Sequence, residues 1–325
     1  MSSPETRVVV VTDSTASLPA QVAAEHGVVV VPLQVVIGAE VLDEGADGAT
    51  PERVAAALKE WTPVSTSRPS PAVMLEVYRR AAEEGATAIV SVHLSAQMSG
   101  TFESAQLAAL EAPVPVVAVD SRQVGVATGY AALAAALAAA DGATAEEAAD
   151  AARDCARRSS SLFYVDTLEY LRRGGRIGAT AALLGGALAV KPLLRIDDGR
   201  VAPLERVRTS TRALARLEEL AVTAAEELAG GLDPDVAVHL DVAVAHLANP
   251  DRAATLAEHL QERLGERLAD ATVSCGELGA VLGAHVGPGM IAVCVAPRGP
   301  VPGTEQGPDA DPDEDPDEDH EASTA

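Results

Sequence analysis

The first half of the chain alternates short, almost continuously apolar runs with longer segments of helical periodicity. The apolar runs are Val8 to Val11, Val28 to Val36, Ala88 to His93 and Val114 to Val119. Such runs are typical of strands that are covered on both faces, and the helical segments between them suit crossovers from one parallel strand to the next. The pattern predicts an α/β fold whose N-terminal part, residues 7–158, is a doubly wound, mostly parallel sheet.

The pattern changes after Ser159. Asp-Asp-Gly separates the segments Pro192 to Ile196 and Arg200 to Val207, which predicts an antiparallel hairpin because Asp-Gly accepts the positive φ angles of a tight turn. A helix is expected from Ser210 to about Leu228, and another from Asn249 and Pro250. Residues 159–298 are therefore predicted to form a mixed α/β domain with antiparallel pairing, with further strands at Val236 to Leu247, Thr272 to Cys275 and Met290 to Ala296.

The two ends of the chain fall outside these domains. Residues 1–6 are expected to be an N-terminal extension and residues 299–325 a disordered acidic tail, because residues 305–321 hold ten of the 48 Asp and Glu with almost no apolar side chains. Without those ten acids the formal charge of −24 becomes −14. This excess of negative charge disfavours nucleic acid and anionic membrane surfaces as partners.

Cys155, Cys275 and Cys294 are expected to be small buried residues in a reducing compartment. Their spacing matches neither a disulfide framework nor a zinc site. The N-terminus lacks the apolar region of a signal peptide, and no Ala- and Leu-rich stretch reaches the roughly 18 apolar residues of a spanning helix. These features predict a cytoplasmic protein without stable membrane insertion.

Candidate binding residues follow the predicted strands of the parallel sheet, where ligands bind in this class of fold. Asp13 and Ser14 follow the first strand, Ser99, Gly100 and Thr101 come shortly after the third, and Asp120 follows the fourth. Each one can also be explained as a helix cap. Their delivery to one edge of the sheet favours a site.

Two segments of the first half have the features of a small anion site. Thr66 and Ser67 precede one helix, and Ser99 to Thr101 precede another, so hydroxyls combine with free backbone N–H groups and the positive end of a helix dipole. Neither segment has the lysine and the spacing of a phosphate-binding P-loop, and a carboxylate is a better match. Two well-capped helices without a ligand would give the same pattern.

Two glycine-rich segments in the second half carry polar side chains. Residues 171–177, Leu-Arg-Arg-Gly-Gly-Arg-Ile, place three arginines around a glycine pair, either as a helix end followed by a turn or as a cationic patch for a partner. Residues 283–289 place His285 in a glycine-rich turn, where it is either solvated or close to a reacting group.

Taken in order, these motifs resemble those of the bacterial DegV family. The resemblance covers residues 7–298, with Arg68 where the family usually has Gln, and rests on the following segments: Thr12-Asp13-Ser14, Thr66-Ser67-Arg68-Pro69, Ser99-Gly100-Thr101 with Ser104-Ala105, Asp120-Ser121, Gly174-Gly175-Arg176-Ile177, Lys191-Pro192-Leu193-Leu194 and Gly283 to Gly289.

The resemblance implies a carrier that binds a long-chain fatty acid between its two domains, without turnover of its own. In the similar fatty-acid-binding component of bacterial fatty acid kinase, a separate ATP-using subunit phosphorylates the bound carboxylate, and the acyl phosphate feeds phospholipid synthesis. No cofactor or metal is implied. By position, the residues implied for the carboxylate pocket are Thr66, Ser67, Ser99, Gly100 and Thr101, those for its floor are Asp13 and Ser14, and those for the face toward the kinase are Arg176 and His285.

Two other functions are compatible with the sequence. The first is a Mg²⁺-dependent phosphoryl-transfer or hydrolytic enzyme that uses Asp13 and Asp120 at the strand ends, with His285 as acid or base. It ranks lower because neither aspartate lies in a metal-ligand motif. The second is a protein-interaction module whose acidic tail is the working part.

Overall fold

In a computed structural model, residues 7–45, 48–177, 190–230, 239–268 and 272–298 are described. Their thirteen strands are β1 Val8–Asp13, β2 Val29–Val31, β3 Gln34–Ile37, β4 Glu40–Asp43, β5 Val64–Ser67, β6 Ala88–His93, β7 Val116–Asp120, β8 Ser160–Tyr164, β9 Lys191–Asp197, β10 Arg200–Val207, β11 Leu240–His246, β12 Ser274–Glu277 and β13 Ile291–Pro297. Their α-helices are α1 Ala20–Glu25, α2 Pro51–Lys59, α3 Pro71–Glu83, α4 Thr101–Ala109, α5 Val126–Ala140, α6 Ala145–Arg158, α7 Glu169–Arg173, α8 Ser210–Gly230, α9 Pro250–Leu264 and α10 Ala280–Val286. Among the described helices, none combines the length and the hydropathy that a bilayer span requires.

The N-terminal sheet is parallel, with the strand order β2-β1-β6-β7. Neighbouring strand residues point to opposite faces, so Val10 and Val90 pack with alanines of α5 and α6, whereas Val11 and Ile89 pack with α3 and α4. Helices cover both faces, which explains why these strands are almost continuously apolar. The predicted α/β class with a parallel N-terminal sheet is confirmed.

The prediction of one strand from Val28 to Val36 is wrong. The chain forms β2 and β3 in two different sheets, and Pro32 and Leu33 lie between them. Proline has no N–H to donate to a strand ladder, and the Leu33 N–H donates to Ser14 Oγ at 2.9 Å instead. A continuous apolar run therefore hides a change of sheet.

The strand β3 is the centre of a small antiparallel sheet with the order β4-β3-β5. Gly38, with φ of +61°, begins the tight turn between β3 and β4. One face of this sheet packs with α2 and α10 around Val35, Val54 and Val281. The sequence pattern did not predict β5, because its residues Val64-Ser65-Thr66-Ser67 are mostly polar.

The C-terminal sheet is mixed, with the order β10-β9-β8-β13-β11-β12, and only β11 and β12 pair in parallel. The predicted hairpin is confirmed as β9 and β10, with positive φ at Asp198 and Gly199. The strand β8 was not predicted. The predicted extension 1–6, tail 299–325 and the start of the strand predicted from Val236 lie outside the described residues.

The two faces of the C-terminal sheet carry side chains of different size. Leu240, Val242 and Val244 of β11, together with Ile291, Val293 and Val295 of β13, pack against α8 and α9. The alternate positions, which face the N-terminal sheet and its helices, are Ala243, Ala245, Ala292, Cys294 and Ala296. Small side chains on this face leave space between the two halves of the molecule.

Candidate functional site

A cavity of about 380 Å³ occupies that space. Its floor is the small-residue face of the C-terminal sheet, where the strand register aligns Phe163, Ala292 and Ala245 in one cross-strand row and Ser161, Cys294 and Ala243 in the next. The volume lies in the range of roughly 300–1,000 Å³ that is common for small-molecule sites. The floor offers an apolar ligand a long, almost uncharged surface.

The remaining walls are also mainly apolar. They comprise Leu94 and Met98 of the loop after β6, Val124 to Val126 at the start of α5, and Leu282 and Val286 of α10. Gly125, with φ of +68°, lies where an added Cβ would be 3.6 Å from Leu282 Cδ1. The positive φ is therefore what favours glycine here, because a Cβ would make only ordinary contact with α10.

Polar groups gather at one end of the cavity, and we call this set the polar end. It consists of Thr66, Ser67, Arg68, Ser99, Gly100, Arg176 and His285. Three contacts join its four chain segments: Thr66 Oγ1 lies 2.8 Å from His285 Nε2, Arg68 Nη1 donates to the Gly100 carbonyl at 3.0 Å, and Arg176 Nε donates to the Met98 carbonyl at 3.2 Å. Nine residues were predicted for the site or its support. Six of them line the cavity: Thr66, Ser67, Ser99, Gly100, Arg176 and His285. The other three are Thr101, Asp13 and Ser14.

Thr101 lies directly behind Ser99. It is fully buried, its Oγ1 is 2.9 Å from Ser99 Oγ, and its N–H donates to the same Ser99 oxygen at 3.3 Å. These two bonds fix the orientation of the Ser99 hydroxyl at the first turn of α4. Thr101 thus supports a cavity residue without lining the cavity itself.

Asp13 and Ser14, predicted as the floor of the pocket, do not line the cavity either. The Asp13 carboxylate is fully buried and accepts hydrogen bonds from the Thr15 N–H at 3.1 Å, the Thr15 hydroxyl at 2.5 Å and the Leu94 N–H at 3.2 Å. Ser14 Oγ accepts from Leu33. Both residues therefore hold cavity-lining residues, Leu94 and Leu33, from behind.

Asp13 also ends a buried chain of hydrogen bonds. Its Oδ2 is 2.9 Å from His93 Nδ1, His93 Nε2 is 2.7 Å from Ser91 Oγ, and Tyr78 donates its hydroxyl to Ser91 at 2.8 Å. All four side chains are inaccessible to solvent, and burial raises the pKa of Tyr78 to about 12. The order resembles a hydrolase triad, but Ser91 lies inside the parallel sheet and does not line the cavity, so the chain of bonds joins β1, β6 and α3.

The other predicted metal-binding carboxylate, Asp120, lies at the end of β7. Its Oδ1 accepts from the Ala96 N–H at 3.1 Å and from the Arg122 N–H at 2.9 Å, which fixes two loops at the sheet edge. Asp120 does not line the cavity. Over the described ranges, no group of three or more His, Cys, Asp or Glu side chains fits a metal ion.

The electrostatics of the polar end centre on His285 and Arg176. Burial, together with the positive charge of Arg176, lowers the pKa of His285 to about 4, so the ring is neutral near pH 7. Arg68 forms an ion pair with Glu103, and Arg173 forms one with Glu169. Arg176 donates to carbonyl oxygens instead and has no ion pair among the residues that the structure describes. The polar end thus offers hydroxyls, a neutral imidazole and one uncompensated positive charge.

Fold and cavity together define a class of protein. It is an α/β protein with a mainly apolar pocket between a parallel sheet and a mixed sheet, and one end of the pocket is compatible with an anion. The family model described as "Uncharacterised protein, DegV family" matches residues 7–298. The chain belongs to the DegV family.

Relatives and solved structures agree with this assignment. A DegV domain-containing protein of Streptomyces coelicolor is 53% identical over 291 residues, which are 90% of this chain and 99% of that protein. A DegV family protein from Thermus thermophilus, whose structure is described as showing fatty acid binding, has 32% identity and a TM-score of 0.79, covering 90% of this chain and 99% of that one. DegV from Bacillus subtilis, described as a fatty acid binding protein, has 29% identity and a TM-score of 0.80, covering 90% and 100%.

Sequence reasoning missed the apolar floor of the cavity. The signal was available in Leu-Asp-Val-Ala-Val-Ala-His at β11 and Ile-Ala-Val-Cys-Val-Ala-Pro at β13. Both strands alternate branched aliphatic residues with alanine or cysteine. A period of two in side-chain size, rather than in polarity, marks a strand that packs tightly on one face and leaves room on the other.

Proposed function

We propose that this protein binds one long-chain fatty acid, with the acyl chain in the cavity and the carboxylate at the polar end. The observation that carries the proposal is a mainly apolar cavity with hydroxyls, a neutral histidine and an arginine at one end, and that arginine has no ion pair among the described residues. The residues proposed to surround the carboxylate are Thr66, Ser67, Ser99, Gly100, Arg176 and His285. Asp13, Ser14 and Thr101 are proposed to support them from behind.

The acyl chain would supply most of the binding free energy. Burying a chain of about sixteen carbons, at about 0.8 kcal/mol per methylene, gives a gross transfer free energy on the order of 10 kcal/mol before the costs of association. Hydrogen bonds to a charged group contribute about 1.5–3 kcal/mol each. The hydroxyls would therefore fix the position of the carboxylate, while the cavity gives affinity.

The polar end suits a carboxylate better than a neutral head group. Arg176 has no ion pair among the described residues, and the buried acid Asp13 is held away from the cavity by its own four hydrogen bonds. The neutral ring of His285 can donate one N–H to an acceptor without carrying a charge of its own. A bound anion would meet the positive charge of Arg176 and no carboxylate among the residues of the polar end.

We also propose that the protein acts as a cytoplasmic carrier that presents the carboxylate to a separate kinase subunit, which forms the acyl phosphate for phospholipid synthesis. The resemblance of the motifs to the DegV family supports this role, and the two family members described above support its fatty-acid-binding part alone. Arg172 lies on α7, four residues before Arg176, so these two arginines would attract an anionic phosphate donor. The carrier itself would need no cofactor.

The first test is identification of the ligand. Protein purified from cells and denatured gently should release a long-chain fatty acid in a near one-to-one amount, as measured by mass spectrometry of the extract. Protein stripped of lipid should take up added palmitate or oleate. Absence of both would refute the proposed function.

The second test addresses the carboxylate residues. The double variant Thr66→Ala with Ser99→Ala removes two hydroxyls that line the polar end, so fatty-acid affinity should fall roughly 100-fold while the fold is retained. Ser65→Ala is a matched control, because this exposed hydroxyl is adjacent to Thr66 on β5 but does not line the cavity. Unchanged affinity in the double variant would exclude the proposed carboxylate position.

A further inference from the structure

One end of the cavity is formed by a single cross-strand row of small side chains. The register of β8, β13 and β11 aligns Ser161, Cys294 and Ala243, and all three line the cavity. The next positions on the same face, Ala296 and Asp241, do not line it. The cavity therefore stops at this row, which we call the end row.

The end row lies far from the polar end along the strand direction. The helix α10, which carries His285, is followed by Met290 and then by β13. After Val286, Met290 is the next residue along the chain that lines the cavity. Cys294 is four residues further along, which corresponds to about 13 Å at roughly 3.3 Å per residue. A chain bound by its carboxylate at the polar end would point its methyl end toward the end row.

The space behind the end row is filled. Cys294 and Ala243 pack in one buried cluster with Ala127 and Ala134 of α5, Cys155 of α6 and Ala296. Protein interiors of this kind are close-packed, so a further methylene could enter only by displacing these helices. Among the described residues, the packing of α5 and α6 covers this end of the cavity.

The polar atoms of the end row are already engaged. Ser161 Oγ donates to Gln123 Oε1 at 2.9 Å, and Gln123 Nε2 donates to the carbonyls of Ala156 and Ser159 at 3.2 Å each. Burial raises the pKa of the Cys294 thiol, so it stays uncharged at neutral pH. This end of the cavity thus suits a methyl group rather than a polar one.

We propose that the end row, Ser161 with Cys294 and Ala243, receives the methyl end of the bound fatty acid and sets the longest chain that the protein accepts. This inference rests on the proposed function. It goes beyond it by naming the residues that select ligands by length.

Two variants test the end row against a series of straight-chain saturated acids from lauric to arachidic. Cys294→Leu and Ala243→Val both extend a side chain into the cavity, so the best-bound acid should become shorter by about two carbons in each. One methylene corresponds to about 0.8 kcal/mol, or about fourfold in Kd. In each variant, the acid that the wild-type protein binds best should therefore lose at least about fourfold in affinity relative to the acid that is two carbons shorter.

Val295→Leu is the matched control, because Val295 adjoins Cys294 on β13 but packs toward α8 and α9. Its chain-length optimum should equal that of the wild type. Fatty-acid binding with an unchanged optimum in both Cys294→Leu and Ala243→Val would overturn this inference and leave the proposed function intact. Failure of the wild-type protein to bind any acid of the series would overturn both.

Discussion

His285 faces the cavity as a neutral ring because burial and the positive charge of Arg176 both lower its pKa. Its Nε2 contacts Thr66, and its Nδ1 is buried without a hydrogen-bond partner among the described residues. Gly174 lies so close that a Cβ at that position would be 2.3 Å from Nδ1. Gly174, the first glycine of the Gly-Gly-Arg-Ile motif, therefore has a steric role at the site, in addition to following α7.

Gly174→Ala should displace His285 from Thr66 and weaken fatty-acid binding by at least about tenfold, the loss expected for one hydrogen bond to a charged group. Isothermal titration calorimetry with palmitate would measure the change. Gly175→Ala is the control, because no atom lies within 4 Å of a Cβ there although φ is +71°. It should cost about 1 kcal/mol of stability through its positive φ and leave the affinity unchanged. Equal affinities for the two variants would contradict the steric role of Gly174.

At the scale of elements, the small antiparallel sheet holds α10 at both ends. Thr66 of β5 contacts His285 near the C-terminal end of the helix, and Glu44, which follows β4, accepts from the Val281 N–H at 2.8 Å near its N-terminal end. Gly279 permits this approach, since a Cβ there would lie 2.5 Å from Glu44 Oε1. The sheet thus fixes the position of the helix that carries His285.

Glu44 gives this contact a pH dependence. Burial raises the pKa of Glu44, and the Ser14 hydroxyl and the Val281 amide only partly oppose this effect. Above the unfolded-state pKa of 4.5, the folded protein retains a proton that the unfolded chain has released, so this group makes folding less favourable as pH rises through that window. Relative to Glu44→Gln, the wild-type free energy of unfolding should therefore fall between pH 5 and pH 7.5, as measured by urea titration.

Glu147→Gln provides a control of opposite sign. Hydrogen bonds from Thr144 in the capping box of α6 lower the pKa of Glu147, so its contribution to stability is present above pH 4.5 and is lost as the pH falls through the folded-state pKa. The wild-type advantage over this variant should not decrease with rising pH. A Glu44→Gln difference that grew with pH would show that the Glu44 carboxylate is stabilised rather than destabilised by its surroundings.

At the scale of the whole molecule, the halves are joined around the cavity. Ser95 Oγ, in the loop after β6, donates to the Gly199 carbonyl in the β9–β10 turn at 2.7 Å. Arg200, directly after that turn, donates to the side chain of Gln97 in the loop after β6 at 2.6 Å. Alanines of α5 share a buried cluster with β11 and β13. The predicted boundary at residues 158 and 159 remains a prediction, and this shared core makes independent folding of the two halves unfavourable.

Deletion of residues 299–325 should leave fatty-acid affinity and the free energy of unfolding unchanged, because the family match and the last described strand both end by residue 298. Calorimetry with palmitate and urea unfolding of the truncated and full-length chains would measure both quantities. A full-length chain with its tail acids replaced by Asn and Gln separates an effect of charge from one of length. Lost binding in the truncated chain would assign the tail a direct part in ligand binding and favour the interaction-module hypothesis.

Features that depend on neighbours along the chain could be predicted from the amino-acid sequence. Asp198-Gly199 specified a hairpin, and the apolar runs specified three of the four strands of the parallel sheet. The ordered motifs also indicated the family. These features are local because caps, turns and strand periodicity are set by residues within a few positions of one another.

Which residues meet in space could not be predicted in this way, because it depends on how distant segments pack. Thr66 and His285 are 219 positions apart in sequence and 2.8 Å apart in space, whereas Asp13, although it follows a strand as a ligand residue would, turns away from the cavity to His93. The apolar run at residues 28–36 carried no information on the sheet to which each half belongs. Periodicity reports how deeply a residue is buried, but the partner that buries it is chosen by the packing of distant segments.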